Sequence, residues 1–204
     1  MSLLFVLCSL IISLSGSVVS GQTIKFQPPA SPRVIYNFNP GWKFAFGDTT
    51  GAEKPGFDDS AWANVSLPHT WNDIDSYRAY ISHGGGDQTI KQGIGWYRKH
   101  FKLPVGTEGQ KVFLEFEGLR QAARFYINGQ SVGLYENGIS ACGLDITAIV
   151  KFGGMDNVMA VKVDNTTEYL EEATGTPFEW KFSNSNPNFG GLNRNVWLHV
   201  MGKV

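Results

Sequence analysis

The stretch ARFYINGQSVGLY, residues 123–135, decides the fold class. Asn128 and Gly129 separate two extended runs in which apolar and polar residues alternate. Both residues tolerate positive φ angles, which the two central positions of a type I′ turn require. Alternation with a period of two places successive side chains on opposite faces of a strand. The stretch therefore predicts a tight β-hairpin.

Strand patterns continue on both sides of this hairpin. In VFLEFEGL (112–119), the apolar Val112, Leu114 and Phe116 share one face. Similar runs are GIGWYRKHFKLP (93–104), NVMAVKV (157–163) and RNVWLHV (194–200). A single helical turn is predicted in DITAIVKFGG (145–154), with Asp145 as its cap. The pattern predicts an all-β sandwich of about eight or more strands and favours a jelly roll over an immunoglobulin-like topology, although periodicity does not decide between them.

Composition limits the possible functions. The chain has 204 residues, of which 42% are hydrophobic and 13% aromatic, enough for one substantial core in a single domain. The formal net charge is -1, so the basic stripe of a nucleic-acid-binding protein is not expected. We therefore expect no nucleic-acid partner.

The N-terminus resembles an export signal. Residues 3–19 carry no charge and pass from an apolar run into serine and glycine. This predicts a signal peptide over 1–21, cleaved near Ser20 or Gly21, a mature domain over 22–204, and a secreted or periplasmic location. No Lys or Arg precedes the apolar run, so an uncleaved anchor stays open as the alternative. Beyond this segment we expect no membrane contact, and after cleavage Cys142 would have no disulfide partner.

Carboxylates and histidines are the candidate catalytic or metal-binding groups of this sequence. Glu115 and Glu117 share one face of a strand, and glycoside hydrolysis needs two carboxylates. A regular alternating strand nevertheless favours a solvated outer face for this pair. Asp73 and Asp75 lack the glycine and the terminal glutamate of a calcium loop, and the 4 histidines lack zinc-ligand spacing. We expect no catalytic residue, no metal and no cofactor.

Trp180 is the best candidate for a sugar contact. It lies in a polar stretch, PFEWKFSNSNPN (177–188), beside Asn184, Asn186 and Asn188. An indole ring can pack on the apolar face of a pyranose while amides exchange hydrogen bonds with hydroxyls. The alternative is a tryptophan that anchors a long loop to the sandwich, and the residues alone leave both interpretations open.

Seven motifs in order carry a family resemblance. They are NFNPGWKFAFGD (37–48), FDDSAWANVSLPHTWN (57–72), GIGWYRKHFKLP (93–104), VFLEFEGLRQAARFYINGQSVG (112–133), LDITAIV (144–150), VMAVKVDN (158–165) and GGLNRNVWL (190–198). The chain resembles the N-terminal sugar-binding domain of glycoside hydrolase family two, the β-galactosidase, β-glucuronidase and β-mannosidase family, over nearly all of residues 34–204. The resemblance implies a jelly-roll β-sandwich.

The resemblance also implies catalytic groups located elsewhere. Enzymes of the family continue into an immunoglobulin-like domain and a barrel that carries the two catalytic glutamates. This chain ends at Val204, so we expect it to be catalytically silent alone. Its expected partners are a β-galactoside or related glycan and those further domains of the same enzyme.

The same resemblance indicates which residues face the substrate. In the family, the loop before the last strand lines the substrate pocket and carries an aspartate. That position aligns near Ser185 in this chain, so the resemblance does not imply a directly bound cation. A neutral hydrogen bond from this loop to a sugar hydroxyl stays open. A second family contact aligns near Gln92. Gly190 and Gly191 are predicted to form the hinge into the last strand. The predicted substrate-binding set is Trp180, Asn184, Ser185, Asn186, Asn188 and Gln92.

The expected function is that of the N-terminal domain of a secreted, β-galactosidase-like glycosidase acting in carbohydrate metabolism. Two alternatives share the fold. One is a free-standing carbohydrate-binding module, and the other is a purely structural or interaction β-sandwich.

Overall fold

The computed structural model of the chain describes residues 32–72, 90–177 and 188–202. The chain divides into two units, 1–31 and 32–204, and every described residue belongs to the second. The predicted signal peptide lies outside the described residues. Within the described part, no helix is long and apolar enough to cross a membrane.

The described residues form ten β-strands and no helix. The strands are β1 Val34–Asn37, β2 Trp42–Phe46, β3 Ala63–Val65, β4 Ile94–Lys102, β5 Lys111–Phe116, β6 Ala122–Ile127, β7 Gln130–Tyr135, β8 Cys142–Asp145, β9 Asp156–Asp164 and β10 Val196–Met201. They make a four-stranded sheet, ordered β1-β10-β5-β8, and a six-stranded sheet, ordered β3-β2-β4-β9-β6-β7. All the pairings are antiparallel. The prediction of an all-β jelly-roll sandwich is confirmed, since the chain passes repeatedly from one sheet to the other.

The predicted hairpin joins β6 to β7. Asn128 has a φ of 50° and Gly129 a φ of 85°, as a type I′ turn requires. The Asn128 side chain also binds across the sheet: Nδ2 donates to Asn157 Oδ1 at 2.9 Å and to the Ile149 carbonyl at 3.0 Å. In return, Oδ1 accepts from the backbone amide of Val158 at 3.0 Å. The turn is therefore fixed to β9 by its side chain as well as by its backbone.

The core lies between the two sheets and follows the alternation of the strands. On β5, Val112, Leu114 and Phe116 are fully buried, as their shared face predicted. Tyr97 on β4 and Phe125 on β6 meet them from the other sheet. The predicted turn after β8 is also present: the amide of Thr147 donates to Asp145 Oδ1 at 3.0 Å.

The outer face of the six-stranded sheet is partly covered by the connection between β2 and β3, residues 47–62. Arg98 on this face has no exposed side-chain surface and donates from Nε to Asp59 Oδ2 at 2.7 Å. Its guanidinium also donates to carbonyls of the connection, including that of Lys54 at 3.1 Å. Trp96 and Ala160 are buried beside it. One polar anchor thus holds a loop over residues whose alternation alone would place them in solvent.

Candidate functional site

The predicted substrate-binding residues divide into two groups. Trp180, Asn184, Ser185 and Asn186 lie outside the described residues, so their proposed contact with sugar stays a prediction. Asn188 and Gln92 are described, and both lie where the chain returns from a segment that is not described, 178–187 for Asn188 and 73–89 for Gln92.

The two glycines after Asn188 form the corner that the sequence predicts. A Cβ on Gly190 would lie 2.0 Å from Trp71 Cζ2, far inside any real contact. Gly191 has a φ of 139°, and a Cβ there would lie 2.4 Å from the His69 carbonyl oxygen. Only glycine fits at either position, because each needs close approach and the second also needs a positive φ. The hinge prediction is confirmed.

Asn188 and Asn165 hold this corner to the end of β9. Asn165 Nδ2 donates to the Asn188 carbonyl at 2.7 Å, while Asn188 Nδ2 donates to the Asn165 carbonyl at 3.0 Å. Asn188 Nδ2 also donates to Gln121 Oε1 at 2.8 Å, and Asn188 Oδ1 accepts from Arg120 Nε at 3.3 Å. Asn188 is 2% exposed. A sugar could take its amide hydrogens only by breaking these bonds, so the structure supports a role for Asn188 in holding the loop stem.

The residues on either side of segment 73–89 join the hydrogen-bond network of Asn165 and Asn188. The amide of Lys91 donates to Asn72 Oδ1 at 2.7 Å, and Trp71 Nε1 donates to the Lys91 carbonyl at 2.9 Å. The amide of Trp71 in turn donates to the Gly190 carbonyl at 3.3 Å. Asn165 Nδ2 reaches the Lys91 carbonyl at 3.3 Å. We call this set the loop frame; it comprises Trp71, Asn72, Lys91, Asn165, Asn188 and Gly190.

Gln92 extends the loop frame toward the connection that follows β9. Its Oε1 accepts from the amide of Thr167 at 3.3 Å, and the residue is half-buried. The adjacent Gly93 donates from its amide to Asn165 Oδ1 at 2.8 Å. Gln92 therefore lies beside the loop frame, and its predicted contact with sugar stays a prediction.

Tyr97 and His69 form a hydrogen-bonded pair under the glycine corner of the loop frame. The Tyr97 hydroxyl and His69 Nδ1 are 2.7 Å apart. Burial lowers the pKa of His69 and raises that of Tyr97, so both groups are neutral near pH 7. The hydrogen bond between the neutral imidazole and the neutral phenol therefore brings no charge under the glycine corner. Neither residue of this pair is an ionised base near pH 7.

Asn165 begins the sequence Asn165-Thr166-Thr167, which has the pattern of an N-glycosylation acceptor, and the structure gives this asparagine another role. Asn165 is fully buried, and both its oxygen and its nitrogen are hydrogen-bonded. A glycan could not be attached to it in the folded chain. No local signal marks this asparagine as the centre of the loop frame, because its partners come from segments far away in sequence.

The carboxylates considered for catalysis are engaged with neighbouring side chains. Glu115 Oε2 lies 2.8 Å from His199 Nε2, and Glu117 accepts from Trp197 Nε1 at 2.7 Å. Hydrogen bonds from Trp197 and Asn195 lower the pKa of Glu117, opposite to the shift that a general acid needs. Their contacts support the solvated-face interpretation of this pair.

Metal and thiol chemistry find little support in the described residues. Within residues 32–72, 90–177 and 188–202, no group of three or more His, Cys, Asp or Glu side chains could hold a metal ion. Asp73 and Asp75 lie outside these ranges. Burial raises the pKa of the Cys142 thiol to about 11, so little thiolate exists near neutral pH.

The chain is similar in sequence to known glycosidases. Residues 87–196 match the family model described as glycosyl hydrolase 2 galactose-binding domain-like. A β-glucuronidase of Formosa agariphila is 42% identical over 175 residues, covering 84% of this chain and 17% of that protein. A β-galactosidase of Thermoanaerobacter pseudethanolicus is 33% identical over 169 residues, covering 83% of this chain and 21% of its own length.

Solved structures of glycosidases share the fold of this chain over most of its length. The structure of a β-glucuronidase from glycoside hydrolase family 2 aligns with a TM-score of 0.74 at 39% identity, covering 87% of this chain and 18% of that chain. The Bacteroides uniformis β-glucuronidase aligns with a TM-score of 0.67 at 34% identity, covering 82% of this chain and 18% of that one.

The chain thus spans about a fifth of the length of these enzymes. Its glycine corner lies within residues 87–196, which match the family model. The chain belongs to glycoside hydrolase family two, of which it forms the galactose-binding-like N-terminal β-sandwich domain.

Proposed function

We propose that this chain serves a β-glycosidase as a scaffold for part of the substrate pocket and has no hydrolytic activity alone. In this proposal, further domains of the enzyme supply the catalytic carboxylates, and residues 178–187 face a β-galactoside or a β-glucuronide. The relatives named β-glucuronidase and β-galactosidase support both classes of substrate.

The observation that carries the proposal is the loop frame. It fixes the stems of segments 73–89 and 178–187 to each other through hydrogen bonds of buried side-chain amides. One of them is the 2.7 Å hydrogen bond from Asn165 Nδ2 to the Asn188 carbonyl. Loops that bind substrate gain precision when a rigid scaffold holds their ends. A simple turn before the last strand would not need so many side-chain hydrogen bonds. The loop frame therefore favours a loop held in place to bind substrate over a loop that only connects two strands.

The proposal is tested by assaying the purified chain with chromogenic β-galactosides and β-glucuronides. We expect no turnover, since in this proposal the catalytic carboxylates lie in further domains of the enzyme. Turnover that scales with protein and survives repurification would overturn the proposal. Calorimetric titration with the corresponding methyl glycosides then separates a scaffold from a free-standing binding module, because only the module would bind them at millimolar concentration.

We further propose that the chain is exported and that residues 1–21 are removed. The uncharged apolar run at residues 3–19 supports this. Fusing residues 1–31 to a reporter without its own signal tests it. Export with a new N-terminus near Gly21 is expected, whereas retention of the reporter inside the cell would contradict the proposal.

A further inference from the structure

A second candidate site lies on the outer face of the six-stranded sheet, beside the connection 47–62. It is a groove of about 360 Å³ over β6, β7 and β9, bordered by residues 169–172. Its lining combines aromatic, aliphatic and charged side chains. We propose that this groove binds a neutral oligosaccharide, independently of residues 178–187.

The apolar part of the groove offers ring faces and exposed aliphatic carbon. Tyr126 and Tyr169 are half-buried, while Leu134 and Leu170 are 38% and 54% exposed. Large apolar side chains gathered at an exposed, concave surface mark a binding site more often than scattered ones do. The C–H face of a pyranose is the part of a sugar that packs on such a surface.

Tyr126 is held in place before any ligand arrives. Its ring stacks on that of Trp96, with 6.0 Å between centroids and an interplanar angle of 27°. Trp96 is 3% exposed and donates from Nε1 to Asp48 Oδ1 at 3.1 Å. A ring supported in this way loses little conformational entropy when a sugar packs against it.

The border of the groove is also fixed. The Tyr169 hydroxyl donates to Glu136 Oε1 at 2.5 Å, and the amide of Glu172 donates to the same oxygen at 2.8 Å. The short segment that closes one side of the groove is thus tied to the chain just after β7. A preformed wall favours binding by the same argument as the supported ring.

Charge pairing selects a neutral ligand. Arg124 forms an ion pair with Glu172, and Lys162 pairs with Asp48 at 2.8 Å. Each groove cation therefore already has a carboxylate, and Asp164 adds a further negative charge. A uronate would have to compete with these partners, whereas sugar hydroxyls can donate to carboxylates and accept from guanidinium and ammonium groups together.

The test is calorimetric titration of the full chain with four tetrasaccharides. The neutral probes are β-1,4-linked tetramers of glucose, galactose and mannose, and the anionic probe is tetragalacturonate. We expect at least one neutral probe to bind at millimolar concentration or below, and tetragalacturonate to bind more weakly. The absence of binding by every neutral probe, or tighter binding of tetragalacturonate, would overturn the proposal.

Variants locate the binding. Tyr169→Ala should weaken it about tenfold, whereas Tyr169→Phe, which keeps the ring, should stay within about threefold. Leu170→Ala should also weaken binding and removes only an exposed side chain, so it remains informative if Tyr169→Ala fails to fold. Ile139→Ala is the matched control, since Ile139 is 56% exposed and lies outside the groove lining.

A further variant separates this site from the predicted loop site. Trp180→Ala should leave the affinity unchanged if the groove binds the glycan. Loss of binding in Trp180→Ala, together with full binding in Tyr169→Ala and Leu170→Ala, would assign the sugar to the loop and overturn the proposal.

Discussion

Single residues fix the corner before the last strand. Gly190 touches the Trp71 indole so closely that no side chain fits between them, and Gly191 adds a positive φ. Asn165 fills the remaining space and uses its whole amide in hydrogen bonds. The corner therefore tolerates change at none of these positions without movement of Trp71 or of the loop stem.

Replacing Gly190 by alanine should destabilise the chain strongly. The added Cβ would lie 2.0 Å from Trp71 Cζ2 and 2.7 Å from Asn165 Cγ, so one of them must move. We expect the free energy of unfolding to fall by about 3 kcal/mol, measured by urea denaturation. Gly143→Ala is the matched control, because no heavy atom lies within 4 Å of a Cβ there and its effect should stay below about 1 kcal/mol. Equal stability of the two variants would contradict this description of the corner.

Among the elements, the β6–β7 hairpin is the one whose local sequence agrees most fully with its tertiary role. Asn128 supplies the positive φ of the turn and three hydrogen bonds from its side chain. The turn thus sets the register of β6 with β7 and anchors both to the strand beside them. The local sequence of the connection 47–62 does not determine its position, because its place over the sheet depends on hydrogen bonds to the distant Arg98.

Two substitutions of Asn128 should separate these contributions. Asn128→Gly keeps the permitted φ and loses only the side-chain hydrogen bonds, which should cost about 2 kcal/mol. Asn128→Ala loses the same bonds and keeps a Cβ in the left-handed region without the polar side chain that makes asparagine tolerate it, at a further cost of about 1 kcal/mol. Urea denaturation of both variants measures the difference. If alanine proved as stable as glycine, the left-handed turn would not be the conformation in solution.

At the scale of the whole molecule, carboxylates paired with cationic side chains join loops to the sheets. Burial raises the pKa of Asp59, but hydrogen bonds from Arg98 and His100 outweigh it and hold that pKa below its ordinary value. Asp48 behaves in the same way through its bonds to Lys162 and Trp96. Because the folded state favours the ionised carboxylates, it is the unfolded state that takes up protons first as the pH falls.

Stability should therefore decrease in acid. The contribution of Asp59 is complete above its unfolded pKa of 3.8 and is lost as the pH falls through the lower folded pKa. Asp59→Asn should cost about 3 kcal/mol near neutral pH, because it leaves Arg98 buried without a charge partner, and should flatten the loss of stability in acid. Urea denaturation between about pH 2 and pH 7 measures both effects.

The neighbouring Asp58 provides the control for this experiment. It is exposed and accepts local hydrogen bonds from the amide and the side chain of Ser60. Asp58→Asn should retain most of the acid dependence of the unmodified chain. An unchanged acid slope in Asp59→Asn would show that the buried pair does not couple folding to protonation.

Among the residues that the family resemblance and the local patterns indicate, Gly190, Gly191, Asn188 and Gln92 lie in one connected region. The predicted contact of Asn188 and Gln92 with sugar stays a prediction. The role of Asn188 differs from a plain sugar contact, because its amide is committed to Gln121 and Asn165. Trp180 and Ser185 stay predictions, since they lie outside the described residues.

By itself, the sequence determined the strands, the hairpin turn and the position of the glycine corner, because alternation and backbone preference depend on residues close together in the chain. The close approach of Trp71 to Gly190 was decided by the tertiary structure. Only the tertiary structure decided that Arg98 is buried under a loop, that Asn165 joins two loop stems, and that Tyr126 and Tyr169 share a groove. These features depend on the register between strands and on the paths of loops far apart in sequence. Local periodicity carries no information about which distant residues will meet.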